Sequence, residues 1–180
     1  LASARAGDVV WGDTAITIER TTPVSIKLNK NSDGKTTGMV TVQSKDGVTT
    51  DHIYLLAKDS VLNADKFAAN DLRLSGQEGL NVNEVIGNSI YLEGGSGDIG
   101  HKVNDALQAV QVTLKDNGFI SANAAGNVAL QQVLEDTGKI VDFTLGSVAG
   151  KNVDIDAVGS IVSRKDDIGY INASETIDLT

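Results

Sequence analysis

The stretch NSIYLEGGSGDIGHKVNDAL, residues 88–107, admits two readings that lead to different proteins. Gly95, Gly97 and Gly100 satisfy G-x-G-x-x-G, the phrase that brings a dinucleotide pyrophosphate to a strand-to-helix turn. The same letters make a glycine-rich corner between short strands of a stacked β-coil, because corners need positive φ and glycine accepts it at little cost. The order of parts does suit a nucleotide site. A strand precedes the glycines, residues at helical offsets follow, and Asp116 lies about twenty residues on. Two features weigh against it. Ile90, Tyr91, Leu92 and Glu93 do not form the continuous apolar run of a parallel strand covered on both faces. The fold also needs repeated strand–helix alternation, and the remaining sequence reads almost only as strands. The corner reading is therefore preferred, with a nucleotide-binding α/β domain kept as the least favoured alternative.

Working upstream, Asn70-Asp71-Leu72-Arg73-Leu74-Ser75-Gly76 is matched by Asn88-Ser89-Ile90-Tyr91-Leu92-Glu93-Gly94, 18 residues later. Both read Asn-x-apolar-x-Leu-x-Gly, at a spacing typical of solenoid coils. Looser echoes follow at Val112-Thr113-Leu114, residues 126–130, residues 152–155 and Ile177-Asp178-Leu179. Their drifting spacing fits coils whose corners vary in length. In each unit two apolar residues flank a polar one, so strand geometry sends the pair to one face. Leu72/Leu74, Ile90/Leu92, Val112/Leu114, Val128/Leu130 and Val153/Ile155 are expected inside. Arg73, Tyr91, Thr113 and Asp154 are expected outside. Asn is the second-best corner residue, and its amide can ladder onto the Asn of the next coil.

Earlier in the chain, residues 15–18, 24–28, 39–42 and 53–55 read as strands, with turns at 31–34 and 45–47. Residues 1–13 read as a lead-in, first strand or cap, with Trp11 closing an open core end. Residues 14–180 read as a single β-helical segment. Residues 103–110 carry apolar positions at helical offsets and predict one short helix capped by Asn104. Residues 131–136 are open between loop and helix.

The composition agrees with thin regular strands. There are 19 glycines, one proline and only 4% aromatics, so the core is built from small and β-branched side chains. A net charge of −9 repels phosphate backbones and anionic lipid, so neither nucleic acid nor membrane insertion is expected. The chain lacks cysteine, which excludes disulfides, iron–sulfur clusters and cysteine zinc sites. It begins at Leu1 without an initiator Met or leader, and is read as an excised piece of a longer repetitive protein.

Candidate chemistry is sparse. Gly94-Gly95-Ser96-Gly97-Asp98 resembles a calcium nonapeptide, but its Asp comes one residue early and no second copy follows. Asp154 and Asp156 share one strand face, the arrangement that acid–base glycan cleavage would use. In an acidic chain the same pair is also a solvated outer face. Asp166-Asp167 is a turn signal. His52 and His101 are too few for a histidine zinc site, and His101 is expected to be solvated. Asn172-Ala173-Ser174 is a glycosylation sequon. No G-x-S-x-G elbow occurs. No catalytic, cofactor-binding or metal residue is assigned, and no cofactor is expected.

Residues 88–107 resemble the filamentous-haemagglutinin-like adhesins of bacteria, including the leukotoxin-type filamentous adhesins. Those repeat a phrase close to N-x-I-x-L-x-x-x-x-G-x-I-G followed by N-x-x-L. Here it stands as Asn88, Ile90, Leu92, Gly97, Ile99 and Gly100, then Asn104 and Leu107. A looser second copy lies at Gly159-Ser160-Ile161 and Asp167-Ile168-Gly169. The resemblance implies a right-handed parallel β-helix with variable-length corners. It also implies export through an outer-membrane secretion partner, display at the bacterial cell surface or secretion, and adhesion to a host or bacterial receptor or glycan. No binding residue carries over, because the matched positions are structural. The expectation is a non-enzymatic structural or adhesive shaft segment of a large exoprotein, adhesin or filamentous toxin. The alternative is a carbohydrate-active β-helix enzyme, a polysaccharide lyase or hydrolase.

Overall fold

The computed structural model describes residues 2–4, 7–11, 14–19, 24–30, 36–44, 50–57, 61–135, 139–165 and 169–180, with most side chains described from Leu55 onward. Every regular element among them is a strand. The all-β expectation therefore holds. The turns expected at residues 31–34 and 45–47 lie outside the described residues, as do Asp166, Asp167 and Ile168, and the Trp11 side chain.

The chain opens with β1 (Ala2–Ala4), β2 (Gly7–Trp11), β3 (Thr14–Glu19), β4 (Val24–Lys30), β5 (Thr36–Ser44) and β6 (Thr50–Ala57). Their mutual pairings, β1–β4, β4–β5, β2–β3 and β3–β6, are antiparallel. Parallel winding from Thr14 was the expectation, and here it is corrected. A parallel neighbour needs a long return path. The first five strands run from 3 to 9 residues, too short to travel round a coil, so they fold back on each other.

From β6 onward the pairing between coils is parallel. The strands are β7 (Leu62–Gly76), β8 (Leu80–Gly95), β9 (Ile99–Val103), β10 (Ala106–Gln108), β11 (Val110–Ala124), β12 (Val128–Gln132), β13 (Phe143–Asp156), β14 (Ile161–Ser163) and β15 (Tyr170–Leu179). Parallel pairings link β8, β11, β13, β12 and β9 into a closed ring of five strands, to which the other strands add. The closure is possible because β8 is 16 residues long. Its start, Leu80 and Asn81, pairs with β9, while residues 84–95 pair with β11.

The sequence repeat becomes register. β7 and β8 pair at a constant offset of 18 residues, with Leu72 on Ile90 and Leu74 on Leu92. One apolar column runs Leu62, Leu80, Ile99, Val128, Val153, Ile177. All but Ile177 are buried. Each such Leu, Ile or Val contributes roughly 1.5–3 kcal/mol on burial, and stacking gives each coil a floor and a ceiling that it lacks alone. All ten residues expected inside lie in the core or pack against it.

Three local expectations change. The helix expected over residues 103–110 is instead a β9–β10 hairpin. Asn104 and Asp105 take φ of 50° and 63°, as a two-residue type I′ turn requires, and Asn and Asp tolerate that region. Turn chemistry thus overrides helical spacing. Gln131 and Gln132 end β12 rather than entering a helix. Thr113, expected outside, is buried beside Val112.

Candidate functional site

The glycine corner is the first place to look for a site. Gly95 has φ of 51°, in the region open mainly to glycine. A Cβ on Gly95 would strike the Gln77 carbonyl of the coil below, and one on Gly97 the Glu78 carbonyl. The close approach is used for hydrogen bonding between corners. Ser96 N donates to Gln77 O (2.9 Å), Leu80 N to Asp98 O (2.8 Å) and Gly126 N to Gly97 O (2.9 Å). Gly95, Gly97 and Gly100 lead into strand β9, not into a helix, so no helix N-terminus stands ready for a pyrophosphate. The α/β alternative is overturned by the absence of helix among the described residues.

Asp98 is occupied in the same way. Its carboxylate accepts from Asn127 N (2.8 Å) and pairs with Lys102 (3.3 Å). The Asp serves the corner of the next coil. Among the described residues no cluster of three or more His, Asp or Glu is placed to hold a metal ion.

Amide ladders form, although one corner away from where the repeat suggests. Asn81 Nδ2 donates to Asn63 Oδ1 (2.8 Å), and Asn81 Oδ1 accepts from Lys102 N (2.7 Å). Asn152 Nδ2 donates to Asn127 Oδ1 (2.8 Å), and Thr176 Oγ1 donates to Asn152 Oδ1 (2.7 Å). Asn88, within the repeat itself, donates to the carbonyls of Lys115 (3.0 Å) and Asp116 (3.3 Å), closing an extra loop in β11.

The outer face carries two groups of chemical interest. The first is acidic. Asp154 is exposed on β13, in register with Asp178 of β15, and Asp156 follows two residues on. Desolvation raises the Asp154 carboxyl above its ordinary value, and the charges of Asp178 and Asp156 add to the shift. Asp156 accepts from Gln131 Nε2 (2.9 Å).

The second group is aromatic and cationic. Arg73, Tyr91, Ser121, Ser147 and Tyr170 follow one another up successive coils. The Arg73 guanidinium lies 4.8 Å from the Tyr91 ring centroid. Tyr91 meets Phe119 edge to face at 5.4 Å, and Arg164 lies 4.0 Å over the Phe119 ring. The acidic group sits further along the coil, past the register shift between Gly150 and Asn152. The two groups therefore occupy different stretches of the wall.

The histidines do not meet. The His52 side chain lies outside the described residues. His101, expected to be solvated, is half-buried, and its Nδ1 is enclosed without a hydrogen bond among the described residues. Its place in the β9–β10 hairpin accounts for the enclosure, since it pairs across to Gln108. The residue that sequence reasoning missed is Gln132, which is 3% exposed. Its Nε2 donates to Val141 O (3.0 Å), and its Oε1 accepts from Val158 N (2.9 Å) and Gly159 N (3.0 Å). One side chain thus holds two connecting segments, and only its place after an apolar strand hinted at burial.

With this geometry set out, comparison with known proteins adds no relative: no protein-family model, no curated protein and no solved structure matches the chain.

Proposed function

We propose that the chain is a non-enzymatic shaft segment of a secreted or surface-displayed bacterial exoprotein, an adhesin or filamentous toxin. In this reading it winds as a right-handed parallel β-helix with corners of variable length. It keeps a receptor-binding surface at a distance from the cell and presents its outer faces to a host or bacterial glycan or receptor. The parent protein is exported through an outer-membrane partner. The observation that carries the reading is the column Leu62, Leu80, Ile99, Val128, Val153, Ile177, one residue per coil across six coils. A column of that kind extends by repetition, which is what a shaft requires. The test is binding of the 180-residue chain to intact host cells and to an arrayed glycan panel. Saturable binding supports the reading, and its absence on both argues against adhesion by this segment.

The alternative is a carbohydrate-active enzyme, favoured by one observation. Asp154 is held protonated to higher pH than an ordinary carboxyl, beside a second carboxyl on the same face, as a general acid with its partner would be. Incubation with acidic polysaccharides decides it. Release of unsaturated or reducing ends, lost in Asp154→Asn, establishes the enzyme.

A further inference from the structure

We propose that β15 is a self-association edge, where two copies of this chain pair antiparallel about a two-fold axis at Glu175. On one side β15 is bonded to β13. No strand covers its other edge among the described residues. The apolar columns reach that edge uncovered: Val153 and Ile155 are buried, while Ile177 and Leu179 above them are 49% and 48% exposed. Before the bend that follows Gly150 and Lys151 of β13, Ile171 and Ala173 pack partly against the core.

These four residues are placed symmetrically about Glu175. An axis at that bend sets Ile171 against Leu179 of the second copy and Ala173 against Ile177, on both arms of the bend at once. Self-complementarity of this kind is the condition for an isologous interface, and a foreign strand would have no need of it. The charges fit as well. Asp178 meets Asn172 of the other copy rather than a carboxylate. Glu175, on the axis, is drawn back toward β13 by Lys151 (3.3 Å) and Asn152 Nδ2 (3.4 Å). Growth stops at two. At the opposite end of the molecule β6 lies between β3 and β7, and β5 lies between β4 and β7, so both have partners on each side. The pairing follows from the coils themselves and stands whether or not the chain is adhesive.

Sedimentation equilibrium of the 180-residue chain reads the proposal directly. The expected result is a concentration-dependent rise from 18.8 kDa to twice that mass. A mass of one chain at every concentration up to about 1 mM overturns it, and so does growth past two chains. Ile177→Asp changes both arms through the symmetry, and is expected to weaken association at least about a hundredfold with an unaltered melting curve. A dimer that survives that substitution overturns the interface. Glu175→Cys tests the register. The chain has no cysteine of its own. Residues directly opposed in an antiparallel pair lie within disulfide reach. Mild oxidation should therefore join Glu175→Cys chains in pairs and leave a Lys165→Cys control single. Glu175→Cys chains that do not cross-link overturn the proposed axis.

Discussion

The β7–β8 pair and the β8–β11 pair solve one problem in different ways. β7 and β8 match residue for residue at an offset of 18. Between β8 and β11 the offset is 27 up to Leu114 on Gly87, and 30 from Phe119 on Ser89. Three extra residues enter at that corner, where Asp116 and Asn117 take φ of 50° and 58° and Asn88 holds the loop's carbonyls. The apolar column is unaffected, since Ile120 and Ala122 stand on Ile90 and Leu92. Flat stretches tolerate no slip because side chains alternate with period two, whereas corners absorb whole insertions into solvent.

The largest effect should come from breaking the flat stretch. Deleting Tyr91 makes Ile90 and Leu92 neighbours, which cannot both face inward. We expect loss of cooperative unfolding in a urea titration followed by circular dichroism. A sharp transition at the parent midpoint would refute the fixed register. Next comes the corner that has no room. Gly97→Ala sets a methyl group against the Glu78 carbonyl and should cost about 3 kcal/mol in the same titration. Gln132→Leu leaves the amides of Val158 and Gly159 and the carbonyl of Val141 without their partner. A loss of about 2–3 kcal/mol is expected, with faster hydrogen exchange at both amides. By contrast, deleting residues 115–117 restores in β11 the short corner of β8. It should change stability by no more than about 1 kcal/mol, since loop closure depends weakly on length.

The smallest effect concerns the wall. Because Asp154 has a raised folded-state pKa, its ionised form costs stability above the ordinary carboxylate range, and the cost disappears as pH falls through the raised value. Asp154→Asn should therefore stabilise at neutral pH by a few tenths of a kcal/mol, after solvent screening. The gain should shrink on acidification toward the model value of 3.8. Equal gains at pH 4 and pH 7 would assign the effect to something other than charge.

Much of the wall was legible because its signals are local. Leu72/Leu74 and Ile90/Leu92 carry identical spacing, and their burial follows from strand alternation alone. Arg73 also took its expected outward place. The next member of that column was not legible. Val112/Leu114 looks like the following unit but stands on Val85 and Gly87, and Ile120/Ala122 completes the column instead. The candidate chemistry was legible only as residue types. Asp154 and Asp156 were visible, but Asp178, a distance of one coil away, joins them only through pairing. The Tyr91–Phe119–Arg164 contacts gave no sequence signal, because their partners lie 28 and 45 positions apart.

The sequence by itself determined that this chain is made of strands, that its interior is aliphatic, and that glycines stand where coils turn. Those properties depend on φ preference, side-chain volume and period-two alternation, which neighbours along the chain already specify. Only the tertiary structure decided which coil rests on which, that the first five strands fold back antiparallel, that residues 103–108 turn as a hairpin, and that Gln132 is buried. Each of these depends on hydrogen bonds between residues far apart in sequence, and the strength of such a bond is set by what lies across the gap.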